Sequence, residues 1–126
     1  MRLKSDLLQV MLCVAEGRLD EAELLWDSRP AISIVATSEG YPGDYPTGRV
    51  ITGIEKADQL KDVKVFHSGT TIDANKKLVT DGGRVLSVTA LGDTIKEAQA
   101  LAYKAMQLIH FEGMHYRKDI GHWAMK

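Results

Sequence analysis

Three groups of residues in this sequence have types and spacings that could do chemistry. The first is Asp81-Gly82-Gly83-Arg84, set between two β-patterned stretches. Glycines without a Cβ let the backbone come close to a ligand, and an arginine guanidinium is a planar fork matched to phosphate or carboxylate. The simpler alternative, a hairpin turn with an exposed arginine, is the one these four residues favour when taken alone. The second group is the stretch Gly40 to Gly48, which holds two of the 3 prolines and three of the 11 glycines. It must be a loop. It presents Tyr41 and Tyr45 and reads either as a substrate-facing lid or as a connector. The third group is the 4 histidines, His67, His110, His115 and His122. None falls into HExxH or another compact ligand pair, so they read as surface or core-edge residues, not metal ligands. No GxxxxGK(S/T), GxGxxG or GxSxG occurs, and no cysteine lies in a polar setting.

The elements that position these groups follow from composition and periodicity. The chain has 126 residues with 44% hydrophobic and 26% charged, the pattern of one globular domain, residues 1–126. At 13.9 kDa a compact monomer exposes roughly 6,700 Å2, about a third of what its unfolded chain exposes. Sixteen Lys+Arg against 17 Asp+Glu leave a net charge of −1, which argues against a nucleic-acid partner. The lone Cys13 sits among Met11, Leu12 and Val14 and is predicted to be a small buried hydrophobe in a reducing, cytoplasmic setting. The longest apolar run near the N-terminus, Val10 to Ala15, is too short to span a membrane.

Apolar spacing predicts a first helix over Leu3–Glu16, with Ser5 available as cap and Gly17 as stop. Ala31–Thr37 alternates as a strand, Val50-Ile51 enters a short element, and Ile54–Leu60 is a short helix. Val63–His67 runs on toward Ile72 and returns through Asp73–Lys76 as Lys77–Thr80. Asp81–Arg84 then reads as a second tight turn before Val85–Leu91, so the three strands form a meander. Thr94 and Glu97 make a capping box for a helix whose face is Ile95, Ala98, Leu101, Ala102, Ala105, Leu108 and Ile109, predicted to pack on the meander. The tail, His110–Lys126, is irregular. The fold class is α+β, a small antiparallel sheet with packed helices.

Longer strings carry more than the patterns do. Arg2-Leu3-Lys4-Ser5-Asp6-Leu7-Leu8, Gly40-Tyr41-Pro42-Gly43, Ile51-Thr52-Gly53, Val65-Phe66-His67-Ser68-Gly69-Thr70, Thr80-Asp81-Gly82-Gly83-Arg84-Val85-Leu86, Val88-Thr89-Ala90-Leu91-Gly92-Asp93-Thr94 and Tyr116-Arg117-Lys118-Asp119-Ile120-Gly121 follow one another in order. With these strings the chain resembles, over its whole length, the C-terminal domain of the phosphoribosylamine–glycine ligases, or glycinamide ribonucleotide synthetases. The resemblance implies an α+β domain that closes an ATP-grasp cleft. It also implies a role in purine biosynthesis, where glycine is joined to 5-phosphoribosylamine through a glycyl phosphate. ATP and Mg would be bound by ATP-grasp domains N-terminal to Arg2, so the chain alone is expected to be inactive and to have the remainder of the ligase as its partner. No catalytic residue and no metal ligand are expected here. Arg84, with Gly82 and Gly83, becomes the expected substrate-binding element, its guanidinium on a phosphate or carboxylate. Tyr41 is the second candidate, and Ser5 with Asp6 reads as helix capping. The face toward the remaining domains is expected to be more apolar than an ordinary surface. The alternative is a free-standing small-molecule binding or interaction domain that reuses this fold.

Overall fold

The computed structural model describes residues 1–125. Its strands are β1 (Ala31–Thr37), β2 (Val63–His67), β3 (Thr70–Ile72), β4 (Leu78–Thr80) and β5 (Arg84–Leu91), and its α-helices are α1 (Leu7–Ala15), α2 (Ile54–Asp58) and α3 (Ile95–Met106). Strand alternation puts Ile32, Ile34 and Ala36 of β1 on a buried face and leaves Ser33 and Val35 on an open one. β5 is central, antiparallel to β1 on one side and to β2 on the other, with Val88 opposite both Ile34 and Val65.

The helix α3 closes the buried face. Its inward side is Ala98, Ala102, Ala105 and Met106, mostly small residues that let the helix sit close to the sheet, and Ile109 and Phe111 extend the core beyond it. The expected capping box is present: the Thr94 hydroxyl accepts from the Glu97 amide at 3.2 Å, and the Glu97 carboxylate accepts from the Thr94 amide at 3.1 Å. Leu108, expected on the inward face, is 40% exposed because the helix ends at Met106.

The predicted meander is corrected. Residues 63–72 and 78–91 form one long hairpin, and β4 does not pair with β5. Between the pairs His67↔Leu86 and Thr70↔Thr80 the outgoing arm holds two residues, Ser68 and Gly69, while the returning arm holds five, 81 to 85. Asp81-Gly82-Gly83 is therefore a bulge and not a turn; the chain keeps its direction there. The register is held by the Gly69 amide donating to the Arg84 carbonyl (2.9 Å) and the Asp81 amide donating to the Gly69 carbonyl (2.8 Å). Only glycine fits this crossing: a Cβ on Gly69 would lie 2.7 Å from the Gly82 Cα and 2.8 Å from the Arg84 carbonyl oxygen.

The N-terminal segment also differs from expectation. The helix starts at Leu7, not Leu3, because Asp6 caps it, its carboxylate accepting from the Leu8 and Gln9 amides at 2.8 and 3.3 Å. Ser5 is drawn elsewhere, donating to the Glu23 carbonyl and accepting from the Leu25 amide, both at 2.7 Å. Gly17 ends the helix in the left-handed region (φ +70°) as expected. The apolar side of α1 covers almost nothing: Cys13 is buried, but Leu7, Leu8, Met11, Leu12 and Val14 are 43–66% exposed. The whole chain exposes 8294 Å2, about a quarter more than a compact monomer of its mass. At the base of this arm Arg29 grips Asp27 (2.9 Å) and Asp62 (3.1 Å). The side-chain and backbone hydrogen bonds from Arg29 hold the Asp27 carboxyl well below the usual carboxylate range. Among the described residues no helix is long and apolar enough to cross a membrane.

Candidate functional site

The bulge positions the site. Ser38, just past β1, ties it down: its hydroxyl donates to the Gly82 carbonyl at 2.9 Å and its amide donates to the Gly83 carbonyl at 2.8 Å. The 40–48 loop then turns back over the bulge. Gly40 makes that turn at φ +84°, where a Cβ would meet the Asp44 carbonyl oxygen at 2.1 Å. The ring of Tyr41 thereby rests on Gly83, so closely that a Cβ there would lie 2.2 Å from the Tyr41 Cδ2. Tyr45 stands beside it, with ring centroids 6.3 Å apart. The peptide bond between Tyr41 and Pro42 is cis.

The structure brings together all four residues singled out from the sequence, Tyr41, Gly82, Gly83 and Arg84. Gly82 packs on the Gly69 Cα and shapes the crossing, while Gly83 opens onto a cavity. Arg84 is exposed, and its side chain makes no hydrogen bond or ion pair with any described residue. Its guanidinium remains a cation free to meet an anion. Two cavities share the wall formed by Val35, Tyr41 and Arg84. One, of 580 Å3, is lined further by Tyr45, Ser68, Gly69, Gly83 and Ser87. The other, of 290 Å3, runs along the outer side of β1 past Ser33 and Thr37 to Tyr116 and Ile120.

Sequence reasoning missed Ser68, Gly69 and Tyr116, and it set His115 aside as a surface or core-edge residue. Gly69 leaves one mark in the sequence, a glycine interrupting a β-pattern; the tail residues leave none. The histidines stay apart. His67 contacts the Thr70 hydroxyl at 3.0 Å, His110 and His115 pair through their backbones with Thr52 and Thr37, and His122 packs on Trp123. Among the described residues no group of three or more His, Cys, Asp or Glu side chains could hold a metal.

Residues 31–123 match the family described as phosphoribosylglycinamide synthetase, C domain. The chain belongs to that family. The phosphoribosylamine–glycine ligase of Rhodopirellula baltica is 52% identical over 126 residues, covering 99% of this chain and 29% of the relative. The ligase of Escherichia coli O157:H7 is 48% identical over 126 residues, 100% of this chain and again 29% of the relative. The crystal structure of the Thermotoga maritima ligase superposes with a TM-score of 0.66 at 32% identity, over 85% of this chain and 26% of that one. The chain thus spans about 29% of the length of the curated relatives it matches. The family-matched segment holds the sheet, α3 and the whole site, and the exposed arm 1–30 lies outside it.

Proposed function

We propose that this chain is the C-terminal part of a phosphoribosylamine–glycine ligase, a cytoplasmic enzyme of purine biosynthesis, and that Arg84 holds the anionic end of a substrate against the 82–83 bulge. The ligase joins 5-phosphoribosylamine to glycine at the expense of ATP. The observation that carries the site is the Arg84 guanidinium, unpaired among the described residues, on the wall of a cavity whose floor is glycine backbone and whose cover is the Tyr41 ring. A phosphate or carboxylate there receives a bidentate, charge-assisted contact, and Gly83 lets the ligand reach the backbone. The resemblance assigns Mg and ATP to the rest of the ligase, and among the described residues no group of three or more His, Cys, Asp or Glu side chains is placed to hold a metal. The exposed apolar side of α1, with Leu24, Leu25 and Trp26, is the surface on which that remainder packs. The relatives carry this segment within longer ligases, which favours this reading over a free-standing binding domain.

The test is Arg84→Ala in the full-length ligase that carries these residues. A charged hydrogen bond of about 1.5–3 kcal/mol corresponds to a loss of about 10- to 150-fold in kcat/KM for 5-phosphoribosylamine or glycine, with the fold retained. Kinetics equal to the parent for both substrates would remove Arg84 from the site. The 126-residue chain alone, given ATP, Mg, glycine and 5-phosphoribosylamine, is expected to release no ADP.

A further inference from the structure

We infer that the 290 Å3 cavity on the outer side of β1 is a second small-molecule site, one that takes a flat nitrogen-containing ring whose attached anion reaches Arg84. The inference rests on the reading of Arg84 as an anion holder and adds a ligand class on the opposite side of the shared wall.

The cavity is assembled from distant parts of the chain. Its floor is Ser33, Val35 and Thr37 of β1, one end is Tyr41, and the far wall is Tyr116 and Ile120 of the tail. That wall is fixed rather than draped. The Thr37 amide donates to the His115 carbonyl (2.8 Å), and the Thr37 carbonyl accepts from the His115 amide (3.0 Å). The Tyr103 hydroxyl donates to the Arg117 carbonyl (2.9 Å) and accepts from the Ile120 amide (3.1 Å), while Gln99 donates to the Ile120 carbonyl (2.7 Å). A ligand entering here meets a preformed surface and orders little of the chain.

The lining selects the ligand. Two tyrosine rings and the methyl groups of Val35 and Ile120 suit the face of a flat ring. The edge is polar: Ser33 and Thr89 share one hydrogen bond (2.9 Å) between two hydroxyls, so one of their two protons remains to be donated. The Thr37 hydroxyl, donating to the His115 carbonyl at 3.2 Å, keeps its lone pairs to accept. One donor and one acceptor at the rim fit the edge of a heterocycle better than a hydrocarbon. Charge is as specific. Arg117 is neutralised by Asp119 through contacts of 2.7 and 2.9 Å, which leaves Arg84 as the uncompensated arginine among the described residues that line the cavity. The volume, 290 Å3, is at the lower end of the about 300–1,000 Å3 typical of ligand pockets, room for one ring system and its anion.

Because Arg84 lines both cavities, a ligand here competes with the sugar phosphate for the same guanidinium. The test uses the 126-residue chain and three probes, adenosine 5′-monophosphate, adenosine and ribose 5-phosphate, followed by calorimetry and amide chemical shifts. The monophosphate is expected to bind at least tenfold more tightly than either part, moving the amides of Ser33, Thr37, Tyr116 and Ile120. Ser33→Trp, which fills the cavity from an exposed position, is expected to abolish that gain while leaving ribose 5-phosphate affinity within twofold. Monophosphate binding no tighter than ribose 5-phosphate, with shifts confined to Ser68, Gly69 and Ser87, overturns the ring site and leaves Arg84 as anion holder intact. Shifts from adenosine at the four cavity amides, with ribose 5-phosphate binding nowhere, uphold the ring cavity and instead defeat the reading of Arg84. The shift map of the parent chain decides the matter even where Ser33→Trp fails to fold.

Discussion

Gly69→Ala is the substitution that most directly tests how the bulge builds the site. The new methyl carbon would lie 2.7 Å from the Gly82 Cα and 2.8 Å from the Arg84 carbonyl oxygen. Both are backbone atoms held at a hydrogen-bonded crossing, so neither can swing away as a side-chain tip would. Overpacking of this kind costs about 1–3 kcal/mol, which outweighs the few tenths to 1 kcal/mol gained from a stiffer unfolded chain. At about 2.1 cal/mol/K per residue the 126-residue chain has an unfolding entropy near 0.26 kcal/mol/K, so Tm is expected to fall by about 4–11 °C in scanning calorimetry. Gly83→Ala is the internal comparison. Its methyl would strike the Tyr41 Cδ2 at 2.2 Å and the Tyr45 Cε1 at 3.0 Å, and both are ring atoms in an exposed loop that can swing aside. That variant is expected to keep Tm within about 2 °C, less than the overpacking cost, while lifting Tyr41 from its seat and weakening anion binding. Equal Tm values for the parent and Gly69→Ala, or a larger loss for Gly83→Ala than for Gly69→Ala, would refute the account of the bulge as a backbone-on-backbone crossing.

Two further outcomes follow from the arm and its anchor. With its folded pKa depressed by Arg29, Asp27 contributes stability that is present above the ordinary carboxylate range, near 3.9, and is lost as pH falls through that range toward the folded value. Urea midpoints from pH 6 to pH 3 should therefore fall less steeply for Asp27→Asn than for the parent, and parallel slopes would show the pair to be inert. The exposed side of α1 is expected to make the isolated chain self-associate in sedimentation experiments at micromolar concentration. Leu8→Glu with Met11→Glu should restore a monomer at a stability cost within about 0.5 kcal/mol each, since both positions are solvent-facing.

What could be read from the sequence was whatever short-range geometry determines. The Thr94/Glu97 box, the β-alternation of Ala31–Thr37, the burial of Cys13 and the left-handed stop at Gly17 each depend on neighbours within about one helical turn, and all are present. The gathering of Tyr41, Gly82, Gly83 and Arg84 was anticipated only as a set of separate candidates, because the contact between Gly83 and the Tyr41 ring joins segments about forty residues apart. The bulge was misread as a turn for a related reason. Asp-Gly-Gly between two β-patterns has the composition of a reversal, and only the register against Ser68 and Gly69 shows that the chain continues. Helix α1 was correctly assigned its type, but its apolar periodicity says that something covers it and not what. Met106 and Phe111 entered the core unannounced, since each is placed by where α3 ends and not by a repeat.

The central place of β5 has a consequence for how the chain is made. Within the sheet β1 and β2 each pair with β5, the last strand in the sequence, so this sheet cannot be assembled until residues 84–91 exist. During synthesis from the N-terminus, more than fifty residues separate the emergence of Ala31 from that of Arg84. Throughout that interval β1 must wait as an unpaired apolar strand. α3, which seals the sheet, follows β5 directly in the chain. The sheet and its cover therefore close together, late, once the nascent chain has passed about Met106, and the bulge and the Arg84 site come into being in that same step.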